Sequence, residues 1–224
     1  MRIQDRNRLL TIRATLLLGS LCLLSTLPGC RFVKTGSVAA GQASSAQDPK
    51  ARVDALWTPK LLPYAKAKAA PYPELAAQLA KSPDDAIKAH GYHGGDAAAK
   101  PVLFAQIDGT VVDVETASRA GTLGVDVDGD GKSDVMVQIG PVIRGSALRD
   151  GLDFISFSSF SNQIDFADFS KALNAHVRDV VLKDLPRDQL KGRRISILGA
   201  FFADPANPVP LVTPITITLP EKTP

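Results

Sequence analysis

Residues 102–116 constrain the fold more than any other part of the chain, because they form one β-rich segment. The segment is long for a single strand, since strands in globular proteins usually have about five or six residues. Gly109 lies near its middle. A glycine there permits a bend or a bulge, so that one strand can serve two sides of a barrel. The sequence therefore predicts a long, bent first strand.

Two shorter strands are predicted next, because apolar residues alternate with polar or small ones in two segments. The alternating residues are Leu123, Val125 and Val127 in the first segment and Val135, Val137 and Ile139 in the second. Asp128-Gly129-Asp130-Gly131 lies between the segments and is typical of a tight turn. The two strands are therefore predicted to form a β-hairpin.

A helix is predicted after the hairpin, because apolar residues recur at steps of three and four. Ser161 or Asn162 can cap the start of this helix with its side-chain oxygen. The apolar face of the predicted helix consists of Phe166, Phe169, Leu173, Val177 and Val180.

Two more strands are predicted towards the C-terminus, the first of them beginning with Ile195 and Ile197. Pro210 and Pro214 lack the amide hydrogen that a central strand donates, so they predict an edge position for the last strand. The residues that define this last strand are Thr213, Ile215, Ile217 and Leu219.

The resulting order is β-β-β-α-β-β, with a bent first strand and a helix between strands three and four. This order is typical of an OB-fold barrel. The predicted fold class is therefore α+β, with a short N-terminal helical segment followed by an OB-fold-like β-barrel. An irregular α+β sandwich remains the alternative.

The helical subdomain is predicted over residues 49–95, and the barrel domain over residues 96–224. Alanine-rich spacing favours short helices in the first part, and prolines, among them Pro59 and Pro63, are expected to prevent one long helix. Trp57 lies on an apolar stripe with Val53 and Leu56. We therefore interpret Trp57 as a core residue and not as a ligand-stacking residue.

Residues 1–29 have the three parts of a signal peptide. Arginines precede an apolar run over residues 14–27, and Leu27-Pro28-Gly29-Cys30 is typical of a lipoprotein cleavage site. The run is shorter than the roughly 20 residues that a spanning helix needs. We expect cleavage before Cys30 and attachment of palmitate and other lipid to that residue.

Residues 30–48 are predicted to be the lipidated cysteine and a flexible tether, because they are small and polar. The lipid would attach the protein to a membrane that faces the periplasm. Arg31 follows Cys30, where an aspartate would retain the protein at the inner membrane, so the outer membrane is favoured. The other cysteine, Cys22, belongs to the signal peptide.

The charge of the mature chain argues against a nucleic-acid partner. The whole chain has 26 basic and 23 acidic residues. Residues 1–29 contain four of the basic residues and one of the acidic ones, so 22 of each remain and the net charge is zero. Nucleic-acid-binding domains normally carry an excess of positive charge.

Four segments of the chain resemble a known family. They are Ser118-Arg119-Ala120-Gly121-Thr122-Leu123, Val125-Asp126-Val127-Asp128-Gly129-Asp130-Gly131-Lys132, Gln138-Ile139-Gly140-Pro141-Val142-Ile143-Arg144-Gly145 and Asn162-Gln163-Ile164. The chain resembles the bacterial periplasmic lipoproteins called domain of unknown function 2291 (DUF2291). The resemblance implies a lipoprotein often encoded near sugar ABC-transport genes. It implies no established activity and supplies no catalytic residues.

Asp126, Asp128, Asp130 and Asp134 have the spacing of a calcium-binding loop, with Gly131 at the sharp turn. Carboxylates at alternate positions can converge on one calcium ion. The glutamate that usually completes such a loop is missing, and turn formation alone also explains aspartates and glycines at a hairpin tip. Calcium therefore remains one possible cofactor.

Arg119, Arg144, Arg149 and Asp150 form a second candidate site, for a carboxylate, a phosphate or sugar hydroxyls. The glycines around strand three would shape the backbone that presents them. The alternative is structural, with Arg149 paired to Asp150 or Asp153 and Arg144 bracing its loop.

Catalysis has little support in the sequence, so the protein is expected not to be an enzyme. His90 and His93 could chelate a metal, but no further ligand is evident nearby. The leading hypothesis is a lipid-anchored accessory protein that binds a small solute or a component of a sugar ABC transporter. The alternatives are an envelope assembly factor with a protein partner and, with less support, an envelope carbohydrate hydrolase.

Overall fold

Five strands close into a barrel in the computed structural model, which describes residues 48–92 and 100–220. Their order around the barrel is β1-β2-β3-β5-β4, and β4 pairs again with β1. The β3–β5 pair is parallel, whereas the other four pairs are antiparallel. The strands are β1 (Val102–Glu115), β2 (Thr122–Asp126), β3 (Val135–Gln138), β4 (Arg194–Phe202) and β5 (Leu211–Thr218).

Strand β1 bends as the sequence predicts. It pairs with β4 as far as Thr110, and from Thr110 onwards it pairs with β2. Gly109 lies at this change of partner. A Cβ there would clash with the carbonyl group of Asp126 and lie 2.6 Å from Cγ1 of Val125. The close approach of β2 therefore requires a glycine at this position.

The predicted edge position of the last strand is wrong. Strand β5 lies between β3 and β4, so it has a partner on each side. Pro214 is opposite Gly199 at a shift in the register of β4 and β5, where the ladder is already irregular. Pro210 precedes the strand and contributes its carbonyl oxygen, which accepts a bond from the amide of Met136 at 3.0 Å. Neither proline therefore has to donate a ladder bond.

Four α-helices lie in residues 48–92. They are α1 (Pro49–Leu56), α2 (Leu62–Lys68), α3 (Tyr72–Lys81) and α4 (Pro83–His90). The sequence predicts that Pro59 interrupts the helix. In the structure a π turn, Trp57–Leu61, joins α1 to α2, so the helical path continues through Pro59. The wider turn accommodates a residue that has no amide hydrogen to donate. No helix in residues 48–92 and 100–220 is long and apolar enough to cross a membrane.

The helices pack on the barrel and share its core. Val53, Leu61 and Leu75 are fully buried and belong to the same apolar cluster as the barrel strands. The extended pair Ala70–Pro71 adds a parallel partner beside β1. The segments predicted as separate domains, 49–95 and 96–224, lie within one compact unit, Ser45–Pro224. The boundary between them stays a prediction.

Two further helices follow β3: α5 (Ala147–Asp150) and α6 (Gln163–His176). Asn162 caps α6, since its Oδ1 accepts bonds from the amides of Ile164 at 2.8 Å and Asp165 at 2.9 Å. Val180, predicted to lie on the apolar face, is 58% exposed, so that prediction is wrong. A π turn, Val177–Val181, follows α6 and shifts the buried face by about one residue.

The predicted signal peptide, Cys30 and nearly all of the predicted tether lie outside the described residues, as do residues 93–99 and 221–224.

Candidate functional site

The hairpin aspartates hold the turn between β2 and β3. Asp126 accepts bonds from the amides of Gly129 at 2.6 Å and Gly131 at 2.8 Å. Asp128 accepts one from the amide of Asp130 at 3.0 Å. Asp130 accepts from the amide and ammonium groups of Lys132, and the side-chain bond to Lys132 lowers the pKa of Asp130. These bonds give the aspartates a role in turn formation.

Three of the four predicted calcium ligands come together. Asp126, Asp128 and Asp130 each have a carboxylate oxygen within 4.8 Å of the others. Asp134 is not part of this group, and its Oδ2 accepts a bond from the amide of Val127 at 2.7 Å. Three convergent oxygens are a minority of the six to eight ligands that calcium takes. Calcium binding by this hairpin remains a prediction.

The predicted arginine site separates into two parts. Arg149 pairs with Asp150 at 2.7 Å, and its guanidinium carbon lies 3.8 Å from the ring centroid of Phe166. Asp150 also accepts a bond from Oγ of Ser146 at 2.6 Å. The ring contact, with a bond from Nη1 of Arg149 to the carbonyl oxygen of Phe166 at 3.4 Å, joins α5 to α6.

Arg119 and Arg144 lie on two adjoining loops and are both exposed. The carbonyl oxygen of Arg119 accepts a bond from the amide of Val142 at 2.9 Å, which joins the loops. Gly140 allows this approach, because a Cβ there would lie 2.5 Å from the carbonyl oxygen of Arg119. Buried Gln138 fixes the second loop, since its side chain bonds both the amide and the carbonyl group of Arg144. Ligand binding by these two arginines remains a prediction.

Of the two histidines that could chelate a metal, His90 alone lies in the described residues, so chelation by this pair stays a prediction. Nε2 of His90 lies 2.9 Å from Oε1 of Gln78, and His93 lies outside the described residues. His176, the last residue of α6, is half-buried, and its ring stacks on that of Trp57 with 4.1 Å between centroids, while its Nδ1 lies 3.0 Å from Asp54. Trp57 is thus confirmed as a core residue.

A cleft that the sequence analysis missed lies between α3, the start of α4 and the β4–β5 loop at residues 203–210. We call it the α3 cleft, and its volume is about 360 Å³. The apolar residues that line it include Ala76, Leu79 and Phe202, and the loop contributes Asp204 and Asn207. Mostly apolar hollows of this size with a few polar groups are typical of small-molecule sites.

Prolines and small residues shape the α3 cleft. Pro205, Pro208 and Pro210 restrict the backbone of the loop, while Ala76 and Ala80 leave space on one side of α3. The sequence of either wall alone does not indicate a cleft, because the two walls lie more than a hundred positions apart in the chain.

Tyr72 lines the cleft and links it to the barrel. Its hydroxyl group donates to the carbonyl oxygen of Asp134 at 3.0 Å. Burial, with a smaller effect of the Asp134 carboxylate, raises the pKa of Tyr72 to about 12. In the β4–β5 loop, Asp204 accepts bonds from the amide of Ala206 at 3.1 Å and from the ammonium group of Lys100 at 3.3 Å. The cleft thus has a neutral aromatic side chain on one wall and, at its rim, a carboxylate that pairs with Lys100.

A closed five-stranded barrel with a helix between its third and fourth strands makes this protein a member of the OB-fold class. The crystal structure of an OB-fold protein from Thermotoga maritima is similar, with a TM-score of 0.63. The match covers 77% of this chain and 98% of that chain, at 17% sequence identity. At this identity the likeness shows the fold alone.

The chain belongs to the family described as "Predicted periplasmic lipoprotein (DUF2291)", whose model matches residues 20–218. The resemblance seen in the sequence motifs is therefore confirmed. No curated protein matches the chain.

Proposed function

We propose that this protein is a non-enzymatic accessory lipoprotein, anchored through Cys30, that binds a small solute in the α3 cleft. The cleft is the observation that carries the proposal. In OB folds the loop between strands four and five takes part in ligand binding, including the binding of oligosaccharides. The β4–β5 loop forms one wall of the cleft here.

A sugar is the solute class that we propose. The carbon–hydrogen face of a sugar ring can pack on Phe202, while Asp204 and Asn207 can bond its hydroxyl groups. All three residues line the α3 cleft. The association with a sugar ABC transporter belongs to the same proposal and rests on what the family resemblance implies.

The solute is tested by thermal unfolding in the presence of sugars and sugar phosphates. A ligand at one hundred times its Kd stabilises a protein by about 2.7 kcal/mol, so a specific sugar raises Tm measurably. We expect Ala80→Trp, which fills the cleft, to abolish the rise. Ala77→Trp is the matched control, because Ala77 is exposed on the same helix and does not line the cleft.

The outcome also distinguishes the alternatives. A rise in Tm that survives Ala80→Trp would place the solute elsewhere and contradict the cleft. If no solute raises Tm and the detergent-solubilised protein retains a protein partner, the assembly-factor hypothesis is favoured. Turnover of model glycosides would instead favour a hydrolase.

The anchor is tested by metabolic labelling with palmitate. We expect label in the wild-type chain and none in Cys30→Ala, because the thiol of Cys30 is the proposed attachment point. Fractionation of the labelled cells then distinguishes the outer membrane, which Arg31 favours, from the inner membrane. Equal labelling of both chains would contradict the anchor.

A further inference from the structure

An ion pair between Lys100 and Asp204 lies at the rim of the α3 cleft. Nζ of Lys100 is 3.3 Å from Oδ2 of Asp204. The two side chains are 68% and 41% exposed, so a solute in the surrounding water can reach both of them. Exposed ion pairs add little to the stability of a protein, because water and salt screen them. The place of this pair at a solute cleft therefore matters more than its effect on folding.

The backbone holds Lys100 and Asp204 opposite each other. The antiparallel ladder of β1 and β4 is extended by one bond, in which the amide of Ala203 donates to the carbonyl oxygen of Pro101 at 2.8 Å. Lys100 and Asp204 are the next residues on the two chains. Side chains at facing positions of adjacent strands lie within reach of each other. The end of the barrel ladder therefore positions the pair.

A tight turn fixes the polar side chains of the β4–β5 loop. The amide of Asn207 donates to the carbonyl oxygen of Asp204 at 2.9 Å, and Oδ1 of Asp204 accepts a bond from the amide of Ala206 at 3.1 Å. Aspartate at the first position and proline at the second, here Pro205, are typical of such a turn. Asp204 and Asn207 both line the cleft. The turn thus holds them in place before a solute binds, which lowers the entropic cost of binding.

The ion pair offers an acceptor and a donor side by side. A carboxylate has about four lone-pair sites, and an ammonium group has three hydrogens. Within residues 48–92 and 100–220, Asp204 accepts side-chain bonds from Ala206 and Lys100, and Lys100 donates one bond, to Asp204. Each partner therefore keeps capacity for a further bond. The 3.3 Å between Nζ and Oδ2 is close to the separation of two adjacent hydroxyl oxygens on a sugar ring.

We propose that the Lys100–Asp204 pair is the specificity determinant of the α3 cleft and binds two adjacent hydroxyl groups of a neutral sugar. Asp204 accepts the hydrogen of one hydroxyl group, and Lys100 donates to the oxygen of its neighbour. Both bonds involve a charged group, which makes them stronger than bonds between neutral groups. The carboxylate repels an anion, so the pair favours a neutral sugar over a sugar phosphate. The inference rests on the proposed function and narrows its solute class.

Monodeoxy sugars test this assignment. Isothermal titration calorimetry of the full-length acylated protein in detergent gives Kd for D-glucose, D-galactose, D-ribose and D-xylose. The monodeoxy analogues of the sugar that binds most tightly are then titrated. We expect the analogues that lack either of two neighbouring hydroxyl groups to bind roughly tenfold to a hundredfold more weakly, because each loses a bond to a charged group.

Two variants assign these hydroxyl groups to the pair. Asp204→Asn keeps an oxygen for the amide of Ala206 but removes the carboxylate, and Lys100→Met removes the ammonium group. Each variant should bind the parent sugar roughly tenfold to a hundredfold more weakly. Each should bind the analogue that lacks its own hydroxyl partner as tightly as the wild type does, so that the ratio of the two Kd values falls to about one.

Tm without sugar should hardly change in either variant, because the ion pair is exposed. Lys81→Met is the matched control for the loss of a positive charge. Lys81 is exposed at the end of α3 and, in the part of the chain that the structure describes, forms no ion pair with Asp204. This control should keep both the Kd of the parent sugar and the ratio of the wild type.

Three results would overturn the inference, and they separate it from the proposed function. If Ala80→Trp abolishes sugar binding but Asp204→Asn and Lys100→Met keep the ratio of the wild type, other groups in the cleft bind the sugar and the proposed function stands. If none of the sugars binds, both proposals are wrong. If glucose 6-phosphate binds more tightly than D-glucose and Lys100→Met alone removes the difference, Lys100 binds an anion and the pair does not select a neutral sugar.

Discussion

Gly109 makes the most direct prediction about a single residue. Gly109→Ala should lower the free energy of unfolding by about 1–3 kcal/mol, because the added methyl group overlaps β2. Urea denaturation measures the change. Asp108→Ala is the control, since Asp108 is exposed on the same strand and its loss should cost less than about 0.5 kcal/mol. Equal stability of Gly109→Ala and the wild type would contradict the close approach.

Asp126 makes a second prediction, which separates turn formation from calcium binding. Asp126→Ala should lower stability by about 1–3 kcal/mol even in a chelator, because the amides of Gly129 and Gly131 lose their acceptor. Asp128→Ala removes one exposed bond and should cost less. The measurement is urea denaturation with EDTA and with millimolar calcium.

The two conditions give different results if the hairpin binds calcium. If Asp126→Ala lowers the free energy of unfolding with calcium but not with EDTA, the carboxylate binds a cation and does not stabilise the turn. A rise in Tm of the wild type with calcium would support the predicted cofactor.

The raised pKa of Tyr72 predicts that the protein loses stability at alkaline pH. Its pKa of about 12 exceeds the value of about 10 for an unfolded tyrosine, so the folded state holds the proton more tightly. This contribution is complete below pH 10 and is lost as the pH rises towards 12. Tyr72→Phe should therefore lose less stability than the wild type between about pH 10 and pH 12. Parallel losses in urea denaturation would contradict the assignment.

At the scale of elements, the capping of α6 gives a prediction with an internal control. Asn162→Ala should lower stability by about 0.5–2 kcal/mol, because two amides in the first turn lose their acceptor. Ser161→Ala should have little effect, although the sequence allows either residue as the cap. Thermal unfolding of both variants measures the difference, and equal losses would contradict the cap geometry.

The elements that local sequence patterns define could be predicted. The bent strand and the hairpin follow from a glycine position and an alternation that do not depend on distant contacts. The roles of the prolines could not be predicted in the same way. Pro59 lies in a π turn and Pro214 at a register shift, so the surrounding packing decides how a missing amide is accommodated.

At the scale of the molecule, some candidate sites could be predicted from the sequence and others could not. The hairpin aspartates converge because they are neighbours in the chain. The α3 cleft depends on how α3 lies against the β4–β5 loop, and no local pattern specifies that arrangement. Arg149 belongs to an ion pair and a ring contact whose aromatic partner lies on another helix.

The shared core of the helical segment and the barrel predicts that they unfold together. Trp57 is the single tryptophan, and its fluorescence reports on the packing of the π turn after α1 against the end of α6. Far-UV circular dichroism also reports on the barrel strands. We expect coincident urea transitions by both probes, because one apolar cluster joins both parts.

Leu75→Ala extends this last prediction, since Leu75 is fully buried on α3. Its truncation should cost about 2–5 kcal/mol and shift both transitions by the same amount. The control is Ala77→Ser, an exposed change on the same helix, which should shift neither. Separate transitions, with the shift confined to the tryptophan signal, would show that residues 49–95 fold as a subdomain of their own.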